Sequence, residues 1–211
     1  MKSTNFVIVL LSACISCALS SVLKYIPRAQ WPPKFCNKLD CPRYSVLETN
    51  KDYELRLYSA SGWVSTNTAG VDYRKASYTN FMRLFRYING TNTKSQKIAM
   101  TAPVLMMIMP GQGPACEDNF TMSFFMSPKV ENPPAPSQKE VFLDKMSQMK
   151  VYVRSFPGYV TNIKDWLKEA MKLAEAIGDS SKYHTSFSYT AGYNSPYQIF
   201  NRHNEIWFIA K

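Results

Sequence analysis

The sequence is poor in the side chains that do chemistry. It has two histidines, five cysteines, and 15 carboxylates against 25 lysines and arginines. His184 falls on the polar face of a predicted strand beside Ser186 and Ser188, and His203 lies in the turn-like "NRHNE". No Ser/His/Asp or Cys/His arrangement can be assembled from them, so an enzyme is not expected. The 8 glycines form no phosphate-cradling loop, and no cysteines and histidines stand at zinc-ligand spacing. Beyond the first twenty residues no apolar run could span a bilayer, which argues against a transmembrane anchor in the mature chain. The basic residues are spread along the chain, with no Arg/Lys-rich helix or run, so nucleic acid is not an expected partner. The net charge of +10 gives a diffuse positive surface, suited to small anions or acidic surfaces, or simply to solubility.

What is present begins with a leader. Lys2 is followed by "FVIVLLSACISCALS", the layout of a secretory signal peptide over residues 1–20, with cleavage after Ala18-Leu19-Ser20. An uncleaved anchor, or a lipoprotein box at Leu11–Cys14, are alternative readings of the same run. Residues 21–43 carry four prolines and the pair Cys36 and Cys41, an extended lead-in rather than core. In an oxidising compartment that pair can close a small loop as a disulfide. Reading it as a metal pair would require a second pair of soft ligands. Cys116 is left over, either buried or paired between chains. Asn89-Gly90-Thr91 and Asn119-Phe120-Thr121 are glycosylation sequons, which fit a secreted protein.

From Tyr44 onward the chain reads as one α+β domain. Tyr53–Tyr58, Gly62–Thr68 and Phe120–Ser127 alternate as strands. In the first of these, Tyr53, Leu55 and Leu57 share one face, with Glu54 and Arg56 on the other. Tyr73–Ile88 has helical spacing, with Asp72 at its cap and Asn89-Gly90 at its end. Ser127–Glu140 is too proline-rich for regular structure. Met149–Phe156 is a strand. Ile163–Ile177 is a helix with the apolar set Ile163, Trp166, Leu167, Ala170, Met171, Ala174 and Ile177, capped by Asn162 and stopped by Gly178. Tyr183–Thr190 and Glu205–Lys211 close the chain as strands. The halves look like copies: "SGWVST" and "PGYVTN" precede the two helices, and "TAP" and "TAG" follow them. Such a unit used twice gives a pseudo-twofold antiparallel sheet, half-open or closed as a barrel, carrying two helices.

The oddest stretch is "KIAMTAPVLMMIMPG", Lys97–Gly111, apolar on both faces and rich in methionine. With 11 Met, 12 Phe, 13 Tyr and 4 Trp, the chain has much soft aromatic surface, which serves either a core or a flat apolar ligand. In a barrel with helices outside, one face of such a strand lines the interior and the other lies under a helix. The stretch then needs no ligand to explain it.

"KIAMTAPV", "VYVRSFPGY", "YTAGYNSP" and "NRHNEIWFIAK", with "YELRLYSASGWVST" and "YINGTN", closely resemble the SOUL/heme-binding protein family over about Tyr44–Lys211. With the leader and the cysteine pair, the chain looks like an exported branch of that family. The resemblance implies a distorted antiparallel β-barrel with two flanking helices, and non-enzymatic binding of heme or other porphyrins. It implies a shallow apolar groove along the first helix, matched here by Phe81, Leu84 and Phe85 with Arg86 as the basic partner. Tyr78 stands where some members carry a basic residue, and Phe81 and Phe85 where some carry methionine. One member has a proposed axial histidine where this chain has Leu57, so the resemblance supplies no axial ligand. A second reading follows, a protein-interaction module of the same fold that has lost heme. "LAEAIGD", Leu173–Asp179, superficially fits a death-motif pattern reported for the family, although an amphipathic helix ending in a glycine cap explains every residue of it.

Overall fold

A computed structural model describes residues 31–70, 72–111 and 117–211. The expected leader and Cys116 lie outside the described residues. Nine strands form one antiparallel sheet: β1 (Tyr44–Thr49), β2 (Glu54–Tyr58), β3 (Ser61–Gly70), β4 (Val104–Met109), β5 (Asp118–Met126), β6 (Val141–Met146), β7 (Met149–Phe156), β8 (Ser188–Gly192) and β9 (Asn204–Ile209). Their order is β1-β2-β7-β9-β8-β4-β5-β3-β6, curled into a half-open barrel. Helix α1 (Tyr73–Ile88) follows β3, and α2 (Ile163–Ile177) follows β7. Among the described residues no helix is long and apolar enough to cross a membrane.

The period-2 alternation of the strands separates two apolar layers. On the inner face, Trp63, Leu105, Phe125, Val151, Val153 and Trp207 pack together. On the outer face, Val64, Met106, Ile108, Phe120, Met122 and Phe124 lie under α1. Ile206 and Phe208 lie under α2 with Trp166 and Leu173. The methionine-rich stretch is thereby explained: Met106 and Ile108 face the helix side, and Leu105, fully buried, faces the interior. Its strand is shorter than the sequence suggests, because Pro103, which has no N–H to donate, stands just before β4.

Both helices start and stop where expected. The Asp72 carboxylate accepts from the N–H groups of Arg74 and Lys75 at 2.9 and 3.1 Å. Asn162 accepts from the Asp165 N–H at 3.0 Å. Gly178, at φ 71°, ends α2 in a conformation that costs glycine little.

The sheet repeats about the β4–β8 pair: β9 and β5, then β7 and β3, then β2 and β6 occupy matching places. The repeat is real, but "PGYVTN" is a connection, and β7 is the counterpart of β3. The α2 face also differs from the expected set. Leu173 is fully buried, whereas Leu167 and Met171 are exposed, because the sheet-facing stripe runs Trp166, Ala170, Leu173, Ala174, Ile177 at helical spacing.

Candidate functional site

The outer side of α1 carries the expected groove residues, but they divide by burial. Leu84 is fully buried in the core beneath the helix, so it supports the surface without forming it. Phe81 is partly buried, packed edge-on against Phe124 at 5.4 Å between ring centroids. Its ring is stacked on Phe85 at 5.7 Å with planes 17° apart. Phe85 is 40% exposed and Tyr78 70%. These positions recur at helical spacing, so Tyr78, Phe81 and Phe85 form one aromatic stripe.

Arg86, exposed in the last turn, has no ion-pair or hydrogen-bond partner for its side chain among the described residues. Arg83, one turn earlier, is committed: its Nη1 donates to the Asn67 carbonyl and the Thr68 hydroxyl at 3.0 and 3.1 Å. Tyr78, Phe81 and Phe85 therefore share one surface, Arg86 follows Phe85 in the exposed last turn, and Leu84 lies beneath. Asn89, the first sequon, is exposed at the C-cap at the foot of this stripe. Asn119, the second, is half-buried in β5, where its side-chain oxygen accepts from Asn67.

A second constellation escaped the sequence reading. Arg56, on the strand face it shares with Glu54, points into the barrel and is 3% exposed. Its Nη1 donates to Glu205 at 2.9 Å and its Nε to Glu54 at 2.7 Å. Glu205 has no exposed surface. It accepts from the Tyr193 hydroxyl and from Trp207 Nε1, each at 2.7 Å, and lies 2.8 Å from His203 Nε2. Burial pushes the Glu205 carboxyl up, but Arg56 and the bonds from His203 and Trp207 outweigh it and hold it at about 2. Burial likewise works against the Arg56 charge, and Glu205 reverses that, leaving it well above its ordinary value. His203 is thus no simple turn residue. Its ring lies 4.1 Å from Phe35, parallel to it, and edge-on to Tyr193. The legible signal was Glu205 itself, a lone carboxylate alternating with Trp207 and Ile209 in an apolar strand.

Phe35 comes from the lead-in. Cys36 and Cys41 are joined by a disulfide, and Phe35, just before it, packs against Tyr193, His203 and the inner cluster. His184, expected in a strand, precedes β8 and is exposed, its ring stacked near Phe187. Leu57 is half-buried in β2, on the strand face opposite Arg56 and Tyr58, and has no atom to donate to a metal. Among the described residues no group of three or more His, Cys, Asp or Glu side chains could hold a metal ion. In "LAEAIGD", Leu173 is core and Gly178 is the helix stop, so packing and capping account for both.

The model of the SOUL heme-binding protein family matches residues 39–209. The chain is 39% identical over 161 residues to heme-binding protein 2 of Homo sapiens, covering 75% of this chain and 78% of that one. It is 28% identical over 158 residues to heme-binding protein 1 of Xenopus laevis, covering 74% and 83%. Among solved structures, the EcmrR C-terminal domain superposes with a TM-score of 0.50 at 9% identity, over 75% of this chain and 98% of that one. That likeness concerns the fold alone.

Proposed function

Since the chain belongs to the SOUL heme-binding protein family, we propose that it is an exported, non-enzymatic binder of heme or a related tetrapyrrole, held against the outer face of α1. The observation that carries this is the stacked Phe81–Phe85 pair with the uncommitted Arg86 beside it. Flat rings offer a porphyrin offset stacking, about 0.5–1.5 kcal/mol beyond area burial. A guanidinium suits a propionate carboxylate, and Tyr78 extends the apolar stripe by a turn. These residues fit the macrocycle and one acid arm. Bound heme supplies its own absorption and redox chemistry, while this surface holds and orients the ring. Neither histidine belongs to the α1 face: His203 is engaged by Glu205, and His184 lies beside Phe187. Export is supported by the leader-like N-terminus, the Cys36–Cys41 disulfide and the two sequons.

Hemin titrated into the purified protein and followed at the Soret band should bind saturably in the micromolar range. Phe85→Asp with Arg86→Glu should weaken binding about tenfold or more, with thermal unfolding unchanged because both side chains are exposed. Absence of saturation, or indifference to the double substitution, rejects the reading. Leu57, where one relative has a proposed iron-ligating histidine, favours a second reading as an interaction module without heme. Its signature is a single stoichiometric protein partner recovered with colourless protein.

A further inference from the structure

The loop between β8 and β9 holds three large apolar side chains in solvent. Tyr197 is 92% exposed, Ile199 66% and Phe200 79%. Tyr159 stands beside them, its hydroxyl donating to the Pro196 carbonyl at 3.1 Å and its ring under the Arg202 guanidinium at 4.5 Å. The loop backbone is tied. Arg202 Nη1 donates to the carbonyls of Ser195 and Gln198 at 2.7 and 2.6 Å. The Gln198 amide donates to the Phe200 carbonyl at 3.1 Å, and the His203 N–H to the Asn194 side chain at 2.7 Å. A loop braced in this way presents its apolar residues, and exposure on this scale marks an interaction surface.

The surroundings indicate the partner. The Cys36–Cys41 turn lies alongside, with Phe35 packed on Tyr193 and His203 and the Asn37 amide donating to the Tyr193 carbonyl at 3.0 Å. That turn exposes Lys34 and Lys38. Neither residues 32–39 nor residues 193–203 contain a carboxylate, and Asp40, next in the chain, is already paired with Lys129 at 3.1 Å. The result is an apolar tip flanked by two exposed lysines, while Asp52 and Glu54, across the depression lined by Phe35 and His203, are paired with Arg154 and Arg56. A protein partner of ordinary affinity needs about 800 Å² from each side, a broad face, whereas a narrow braced tip gains most by insertion. We propose that this end of the barrel docks on an anionic lipid surface. Tyr197, Ile199 and Phe200 enter the headgroup–acyl boundary, Tyr159 lies at headgroup level, and Lys34 and Lys38 meet the anionic headgroups. The surface shares no residue with the α1 stripe.

Flotation of the protein with phosphatidylcholine vesicles, with and without phosphatidylserine, tests this. Association should depend on phosphatidylserine and weaken at high salt. Ile199→Asp with Phe200→Asp should weaken it about tenfold or more, and Lys34→Ala and Lys38→Ala about fivefold each. Thermal unfolding and hemin binding should stay unchanged in these variants, which separates this surface from the α1 reading. No phosphatidylserine-dependent flotation, or flotation indifferent to both pairs of substitutions, overturns the proposal. So does a dimer, seen by light scattering without flotation, that Ile199→Asp and Phe200→Asp split, because the tip then belongs to a second copy of the chain.

Discussion

Glu205 sits without exposed surface among Tyr193, Trp207, His203 and Arg56, and its pKa carries a measurable consequence. The folded value of about 2 lies below the unfolded reference of 4.5. Its stabilisation is therefore whole above that reference and is lost as pH falls toward 2. Denaturation followed from neutral to acid pH should show this loss in the native protein and a flatter acid limb in Glu205→Gln. Because the substitution leaves the Arg56 charge without its buried partner, it should also cost about 3–5 kcal/mol at neutral pH. At this scale the sequence was least readable. Arg56 alternates with leucines, so the pattern separates two faces without telling which is buried, and its countercharge lies in β9 at the far end of the chain. The same limit affects α1: spacing places Leu84 near Phe81 and Phe85, but only packing shows that it points beneath them.

Elements were far more legible, because capping and periodicity are local. Asp72, Asn162 and Gly178 marked helix ends that the structure keeps, and β7 matches its alternating run. Two edge strands, β1 and β6, went unread, since six residues with one half-exposed face carry little periodic signal. The α2 stripe keeps the expected Trp166, Ala170, Ala174 and Ile177 but takes Leu173 in place of Leu167 and Met171, and that difference is testable. Leu173→Ala should cost about 2–5 kcal/mol, whereas Met171→Ala, at an exposed position, should stay within about 0.5 kcal/mol. Urea melts of the two variants decide which residue faces the sheet. In β4, Met106→Ala should lower stability by about 2–5 kcal/mol and leave hemin affinity unaltered. The opposite pattern would make the methionine strand a ligand wall.

At the scale of the molecule, the fold class and the doubled architecture could be read from the sequence, because each half repeats a strand–helix–strand order. The way the halves interlock could not. The β1–β2 hairpin belongs to the first half by sequence, yet it completes the sheet beside β7 of the second, with Glu54 paired to Val153. Strand pairing across such separations follows from long-range packing that no local pattern encodes. During synthesis this arrangement imposes a wait. At about 5–20 residues per second, the hairpin emerges many seconds before the strand that covers its edge. Until β7 arrives, its unpaired N–H and C=O groups are open to other chains. The two halves cannot fold as separate units in order of translation, and a ribosome stalled before Met149 would display an incomplete sheet.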